Sequence, residues 1–211
     1  MAEPAARLRD LVAATRPRRA PGSGVCAAPW TRPALAGRLV ELSGARASAA
    51  LTFATALVLD AQRRGETSAW VTSRESSFFP PDVAANGVDL AALPVVRVPA
   101  AADVPRAGER LLRSGSFDLV VLDLGADARV PLPLVSRLAG LAERHDAAAV
   151  LIVEKSAGTA SVSSLVSLRA EARRTRGAGG VFVCELAALR DKRRPSGWTV
   201  REERRGPDGL R

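Results

Sequence analysis

Apolar and polar positions along the chain fall into short buried runs separated by helical stripes. Leu39, Val40 and Leu42 make a brief apolar strand that runs into Gly44. A loop of small residues follows, and then Leu51, Ala54, Leu57 and Val58 recur at helical spacing until Arg63-Arg64-Gly65 stops the pattern. Thr67–Thr72 reads as the next strand. Ser73–Pro81 reads as a polar turn that leaves Phe78 and Phe79 exposed, with a short helical segment over Asp82–Asn86 behind it. Gly87-Val88-Asp89 then leads through Leu90–Leu93 into a third strand, Val95–Val98, and the spacing predicts a helix over Asp103–Ser114. Phe117–Gly125 is an unbroken apolar run ended by the carboxylate of Asp123, the pattern of a central parallel strand. Leu132–His145 reads as a helix with Leu134, Val135, Leu138 and Leu141 on one face, and Ala147–Glu154 as another buried strand. Ser161–Arg174 reads as amphipathic, and Gly179–Leu186 and Trp198–Glu202 as terminal strands on either side of a basic turn, Arg190–Ser196. Strands alternating with helices predict an α/β fold with a mostly parallel central sheet covered on both faces, and antiparallel strands near the C-terminus.

The ends of the chain read differently. Residues 3–15 place Ala6, Leu8, Leu11 and Val12 on one helical stripe before Arg16-Pro17 ends it. An isolated helix of this length is marginal in water, so Leu8, Leu11 and Val12 are expected to dock on the domain or on a neighbouring molecule. Residues 20–36, rich in Pro and Gly, read as a linker in which Trp30 packs back onto the core. The expected organisation is an N-terminal amphipathic helix (1–19), a linker (20–36), one core domain (37–205) and a tail (206–211).

Composition narrows the function classes. A chain of 211 residues with 47% hydrophobic residues has enough apolar surface for one full core. Cys26 and Cys184 are far apart and form neither a metal motif nor a disulfide framework, which favours a reducing compartment. The Arg-rich opening lacks an apolar signal-peptide region and no apolar run approaches a membrane span, so a cytoplasmic protein is expected. The single histidine, His145, sits in Arg144-His145-Asp146 with no nucleophile motif in the chain, and reads as a surface cap rather than a catalytic base.

The net charge of +9 is unevenly placed. Residues 1–20 carry five Arg against Glu3 and Asp10, residues 169–211 carry twelve basic against six acidic side chains, and the stretch between is neutral. A neutral body with basic ends suits contact with nucleic acid or an acidic partner surface, although solvated tails that aid solubility have the same composition. The candidate contacts are Arg173, Arg174, Arg176, Lys192, Arg193, Arg194, Arg204 and Arg205. Bound to phosphates, they would give salt-dependent, sequence-blind binding.

The window after the first strand carries the most chemistry. A phosphate loop GxxxxGK[ST] cradles phosphates on backbone N–H groups at a helix N-terminus, with a Lys on the β/γ oxygens and a hydroxyl on Mg²⁺. Here the window reads Gly44-Ala45-Arg46-Ala47-Ser48-Ala49-Ala50-Leu51. The second Gly is Ala49, the Lys is Ala50 and the hydroxyl is Leu51, with Thr52 one position too far along. The same residues also make an ordinary strand-to-helix turn.

The run from Gly37 to Val71, the turn from Gly87 to Leu93 and the stretch from Leu111 to Ala126 resemble, in order and spacing, the core of the RecA-family recombinases. The resemblance covers roughly residues 37–205 and implies a RecA-like P-loop NTPase core. It makes Gly44, Ser48, Ala49, Ala50 and Leu51 a vestigial Walker A loop and Asp123 the vestigial Walker B carboxylate. Glu75 matches the catalytic glutamate when counted back from Gly87, whereas counting forward from Gly44 gives Arg74. After the strand ending at Val153 the family carries a glutamine and a DNA-binding loop, where this chain has the shorter Glu154-Lys155-Ser156-Ala157-Gly158-Thr159. Among RecA-like chains with a degenerate loop, the ImuA group is the nearest in kind, with the SulA-like division inhibitors as relatives.

That resemblance implies a non-catalytic accessory protein of DNA damage tolerance and translesion synthesis (SOS mutagenesis). No cofactor, metal or catalytic residue is expected. The implied partners are RecA, an ImuB-like protein and an error-prone DnaE-type polymerase, together with single-stranded DNA, in the cytoplasm at the nucleoid and away from membranes. Self-association through the N-terminal helix is a further expectation. Two alternatives stay open: a division inhibitor needing no DNA, and a residual ATP-binding RecA paralogue in which Arg46 or Lys155 replaces the lost lysine.

Overall fold

The structure is a computed structural model that describes residues 28–45, 47–74, 78–126, 129–177 and 180–205. The helix expected over 1–19, with Leu8, Leu11 and Val12, lies outside these residues, as do Cys26, Arg46, Glu75 and the tail 206–211. In chain order the elements are α1 (Arg32–Leu35), β1 (Arg38–Gly44), α2 (Ala50–Arg63), β2 (Ser68–Ser73), α3 (Pro80–Ala85), β3 (Val95–Val98), α4 (Val104–Arg113), β4 (Leu119–Gly125), α5 (Leu132–Arg144), β5 (Ala148–Glu154), β6 (Leu168–Arg176), β7 (Val181–Asp191) and β8 (Thr199–Arg205).

All eight strands belong to one sheet in the order β3-β2-β4-β5-β1-β6-β7-β8. The pairings from β3 through β6 are parallel, while β6–β7 and β7–β8 are antiparallel. This is the mixed, mostly parallel arrangement with a C-terminal antiparallel part that the residue pattern predicts. Period-two alternation sorts each strand between two cores. On one face Val40, Leu42, Trp70, Val121 and Val150 meet Phe53, Ala54 and Leu57 of α2. On the other, Leu39, Val71, Val120, Leu122 and Leu151 meet α4 and α5 through Leu112, Val135 and Leu138. A strand buried on both faces has no polar side to display, and so β4 and β5 read as continuous apolar runs.

Three local expectations are corrected. Ser161–Arg174 is not one amphipathic element: residues 161–167 form a loop, and β6 begins at Leu168. Leu168, Ala170 and Ala172 are buried at every second position, a strand period that Arg169 and Glu171 between them disguise. Phe78 is buried, its ring 4.9 Å from that of Trp70, because it packs into the core on the α2 face; of the two, Phe79 alone stays exposed. Within the stretch read as a linker, Arg32–Leu35 forms a helical turn packed on the domain, with Trp30, Arg32 and Leu35 buried. The Trp30 indole N–H donates to the Phe53 carbonyl at 3.0 Å, and the Arg32 guanidinium donates to the Asp146 carbonyl at 2.6 Å.

Candidate functional site

β1 delivers Gly44 to the C-terminal edge of the parallel strands, in register with Glu154 of β5. The chain then turns over five residues into α2. Ser48 N–H donates to the Ala45 carbonyl at 3.0 Å, Ala47 takes the left-handed conformation at φ 61°, and Ala50 N–H donates to Ser48 Oγ at 3.3 Å. The turn closes on itself: a Cβ added at Gly44 would overlap Ser48 Oγ and lie 2.9 Å from the Ala172 carbonyl. Glycine is therefore required here by its neighbours' packing. Ala49 and Ala50 are buried in the α2 core and Leu51 packs against it. Methyl groups pack into the protein where a phosphate loop aims a lysine at the β/γ phosphates.

Among the described residues, the two groups that could replace the lost hydroxyl and lysine, Thr52 and Lys155, are engaged elsewhere. Thr52 hydrogen-bonds the Cys184 thiol of β7. Burial pushes that thiol above its ordinary value, against the opposing influence of Arg174, Arg204 and Thr52. Lys155 lies on the opposite face of the sheet, with Nζ 2.6 Å from Glu41 Oε1 and donating to the Ala160 carbonyl at 2.7 Å. Asp123 is buried on the same face as α2, where Thr72 donates to its Oδ2 at 3.2 Å. One strand, β5, separates it from β1. Frame and carboxylate thus share one edge and one face of the sheet.

Glu41 is a centre that reading the sequence missed. It is fully buried in the middle of β1, facing α5. Besides Lys155, its carboxylate meets Arg169 Nε at 3.2 Å and accepts from Ser161 Oγ and Val162 N–H, both at 2.7 Å. Arg169 Nη2 in turn donates to the carbonyls of Ala157 and Thr159 at 3.1 and 2.6 Å. Two ion pairs at Oε1 and two hydrogen bonds at Oε2 of one buried carboxylate fix the loop between β5 and β6, because a buried charge is tolerated only when paired and hydrogen-bonded. The signal available in the sequence was the lone carboxylate inside Leu39-Val40-Glu41-Leu42. Beside this loop lies an open cleft of about 540 Å³, lined by Arg129, Val130, Val153, Thr159 and Val162.

The eight predicted basic contacts divide between two places. Arg173, Arg174, Arg176, Arg204 and Arg205 gather on β6 and β8 at the edge of the sheet where Gly44 lies. Lys192, Arg193 and Arg194 follow β7 at the opposite end, beside Leu168, so the structure does not bring them to the first group. There they tie the fold together. Arg193 donates to the Ala36 and Gly37 carbonyls at 2.7 and 3.1 Å, and Lys192 Nζ donates to the Ser164 carbonyl at 2.6 Å. Between them Asp191 accepts from Trp198 Nε1 at 3.1 Å and Arg193 N–H at 2.9 Å, and its Oδ1 is 2.5 Å from Arg38 Nη2. Burial alone would raise the Asp191 carboxyl, but these hydrogen bonds and the Arg38 charge outweigh it and hold the group below its ordinary value. Among the described residues no helix is long and apolar enough to cross a membrane.

No family model matches the chain. It is similar in part to RecA proteins of three bacteria. The identity is 32% over 87 residues for RecA of Fusobacterium nucleatum subsp. nucleatum, 36% over 88 for that of a Nocardioides species and 34% over 88 for that of Leifsonia xyli subsp. xyli. Each match covers 41% of this chain. It covers 23%, 25% and 24% of the three RecA proteins, about a quarter of their length. The chain is thus related in part to RecA. That relationship fits a RecA-like core built on this mixed sheet.

Proposed function

We propose that this chain is a non-catalytic RecA-like accessory protein of DNA damage tolerance, of the ImuA kind, working in the cytoplasm at the nucleoid. It acts by contacts with RecA, with an ImuB-type polymerase-like partner, or with both, alongside an error-prone DnaE-type polymerase. The observation that carries this reading is the Gly44 loop. It keeps the strand, turn and helix of a nucleotide site, but Ala49, Ala50 and Leu51 stand where such a site needs a flexible glycine, a cation and a metal-binding hydroxyl. Triphosphate chemistry depends on positioning and charge stabilisation supplied together, and Asp123 without the other groups supplies neither. What remains is shape and surface. Its basic strand ends provide a contact for DNA or for an acidic partner surface.

Two measurements test this. Calorimetric titration with ATP and Mg²⁺ is expected to give no heat of binding; a saturable isotherm would overturn the non-catalytic reading. Co-sedimentation with RecA filaments on single-stranded DNA is expected to carry the chain into the pellet. Failure to sediment with RecA, joined to failure to capture an ImuB-type protein, would overturn the accessory role.

A further inference from the structure

The three C-terminal strands run past the rest of the sheet. β1 pairs with β6 only as far as Ser43 opposite Glu171, and both β1 and β5 stop at the level of Gly44 and Glu154. β6 continues to Arg176, paired with β7 on one side throughout. Residues 173–176 are all exposed, and among the described residues no strand lies on their other side. This free edge is about 13 Å long at the rise of an extended strand. Strand edges are usually closed or guarded, since unpaired N–H and C=O groups invite a further strand. The β8 edge is guarded by charges of both signs, with Arg204 Nη2 2.6 Å from Glu202.

Charge on the projecting β6 edge is of one sign and sorted by face. Arg173 points to the α5 side, where Glu171 holds it at 2.7 Å. That side is balanced, since Arg201 and Arg205 stand against Glu185 and Glu203. Arg174 and Arg176 point to the α2 side and make no ion pair among the described residues. Arg174 is held over the ring of Phe182, its Cζ 5.0 Å from the centroid, which lowers the cost of ordering it for a partner. The Cα atoms of the two arginines stand about 6.6 Å apart, the i, i+2 spacing of a strand. A strand laid alongside would place its own alternate side chains directly opposite them.

We infer that the free edge of β6, from Arg173 to Arg176, receives an extended acidic segment of a partner protein, with carboxylates at alternate positions facing Arg174 and Arg176. The inference rests on the reading of the chain as one that acts through protein contacts, and it names what its basic strands meet. Main-chain hydrogen bonds supply the affinity of such strand addition, and the alternate side chains supply the selectivity. Nucleic acid fits this edge less well. It has no backbone donors and acceptors in strand register, and phosphates crossing the projection meet Glu185, Glu202 and Glu203 as well as arginines.

The test uses the full chain and a fluorescein-labelled peptide of alternating threonine and glutamate, read by anisotropy. Beside it stand the same peptide N-methylated at alternate amides, a lysine version and an oligothymidylate of equal charge. Binding of the acidic peptide is expected, with a loss of roughly tenfold or more on N-methylation and in the exposed double variant Arg174→Gln, Arg176→Gln. The lysine peptide is expected not to bind, and Arg201→Gln on β8 to leave affinity unchanged. Amide exchange at residues 173–176 is expected to slow when the acidic peptide is added. Equal binding of the N-methylated peptide, tighter binding of the oligothymidylate, absence of binding, or loss in Arg201→Gln would each overturn the edge site. Co-sedimentation of the unsubstituted chain with RecA keeps the two readings apart. Retained sedimentation without peptide binding removes the edge site alone, and peptide binding without any sedimentation or capture removes the accessory role alone.

Discussion

Replacing Asp191 by alanine removes the carboxylate that faces Arg38 while leaving that arginine 2% exposed at the foot of β1. The guanidinium keeps its bonds to Ser167, from Nε to Oγ at 3.0 Å and from Nη2 to the carbonyl at 2.8 Å, but loses its only close counter-charge among the described residues. Removing one partner of a buried ion pair costs about 3–5 kcal/mol, because the orphaned charge stays desolvated. A domain has about 5–15 kcal/mol in all, so the variant is expected to lose a large part of its stability in urea. Asp191→Asn keeps an acceptor for Trp198 and is expected to cost less, about 1.5–3 kcal/mol. The double variant Arg38→Met, Asp191→Leu is expected to be more stable than the sum of its parts. The acid limb gives a second readout. The native carboxyl lies below its ordinary value of 3.8, so its stabilisation is complete at neutral pH. It declines as pH falls past the unfolded-state value and is gone once pH passes the lower native value. Asp191→Asn should flatten that limb. A cost below about 1 kcal/mol for Asp191→Ala, the range of exposed pairs, would refute the reasoning.

Gly44→Ala is expected to destabilise by about 1–3 kcal/mol, since its Cβ would overlap Ser48 and crowd the Ala172 carbonyl; thermal melting checks this. Ala47→Gly, at φ 61°, is expected to raise stability by up to about 1 kcal/mol in the same assay, glycine being unstrained there. Gly108→Ala would drive a methyl into Leu122, with Cδ1 at 2.8 Å, and is expected to cost about 1–3 kcal/mol in urea. Glu41→Gln is expected to loosen the loop at 155–162, seen as faster amide exchange at Val162, while leaving residues 173–176 unchanged.

Elements buried on both faces were legible because their residues carry the signal themselves. β4 announces itself through Leu119 to Leu124, and α5 through Leu134, Val135 and Leu138 at helical spacing. β6 was obscured because its buried positions alternate with charges that are satisfied from the preceding loop: Arg169 by its carbonyls, Glu171 by Ala157 N–H. Phe78 looked exposed in a polar turn because nothing local indicates that Trp70 receives it. The loss of lysine and hydroxyl from the Gly44 loop could be read directly, but not the packing that fills their place. Nor could spacing tell that Arg193 holds carbonyls at one end of β7 while Arg204 stands at the other. Both belong to basic runs, and only the antiparallel turn-back decides which end each occupies.

The projecting strands are anchored unevenly. At the Leu168 end, β6 lies between β1 and β7, and the Asp191 cluster fastens the hairpin to residues 36–38. At the Arg176 end, each strand has only its neighbours within the projection. Such a structure frays from its tip: backbone amide protection should fall steadily from Leu168 to Arg176, so the outer turns can open and re-form many times without the domain unfolding. A partner met at the tip would then register first as a change in local breathing, while the melting temperature of the whole chain hardly moves.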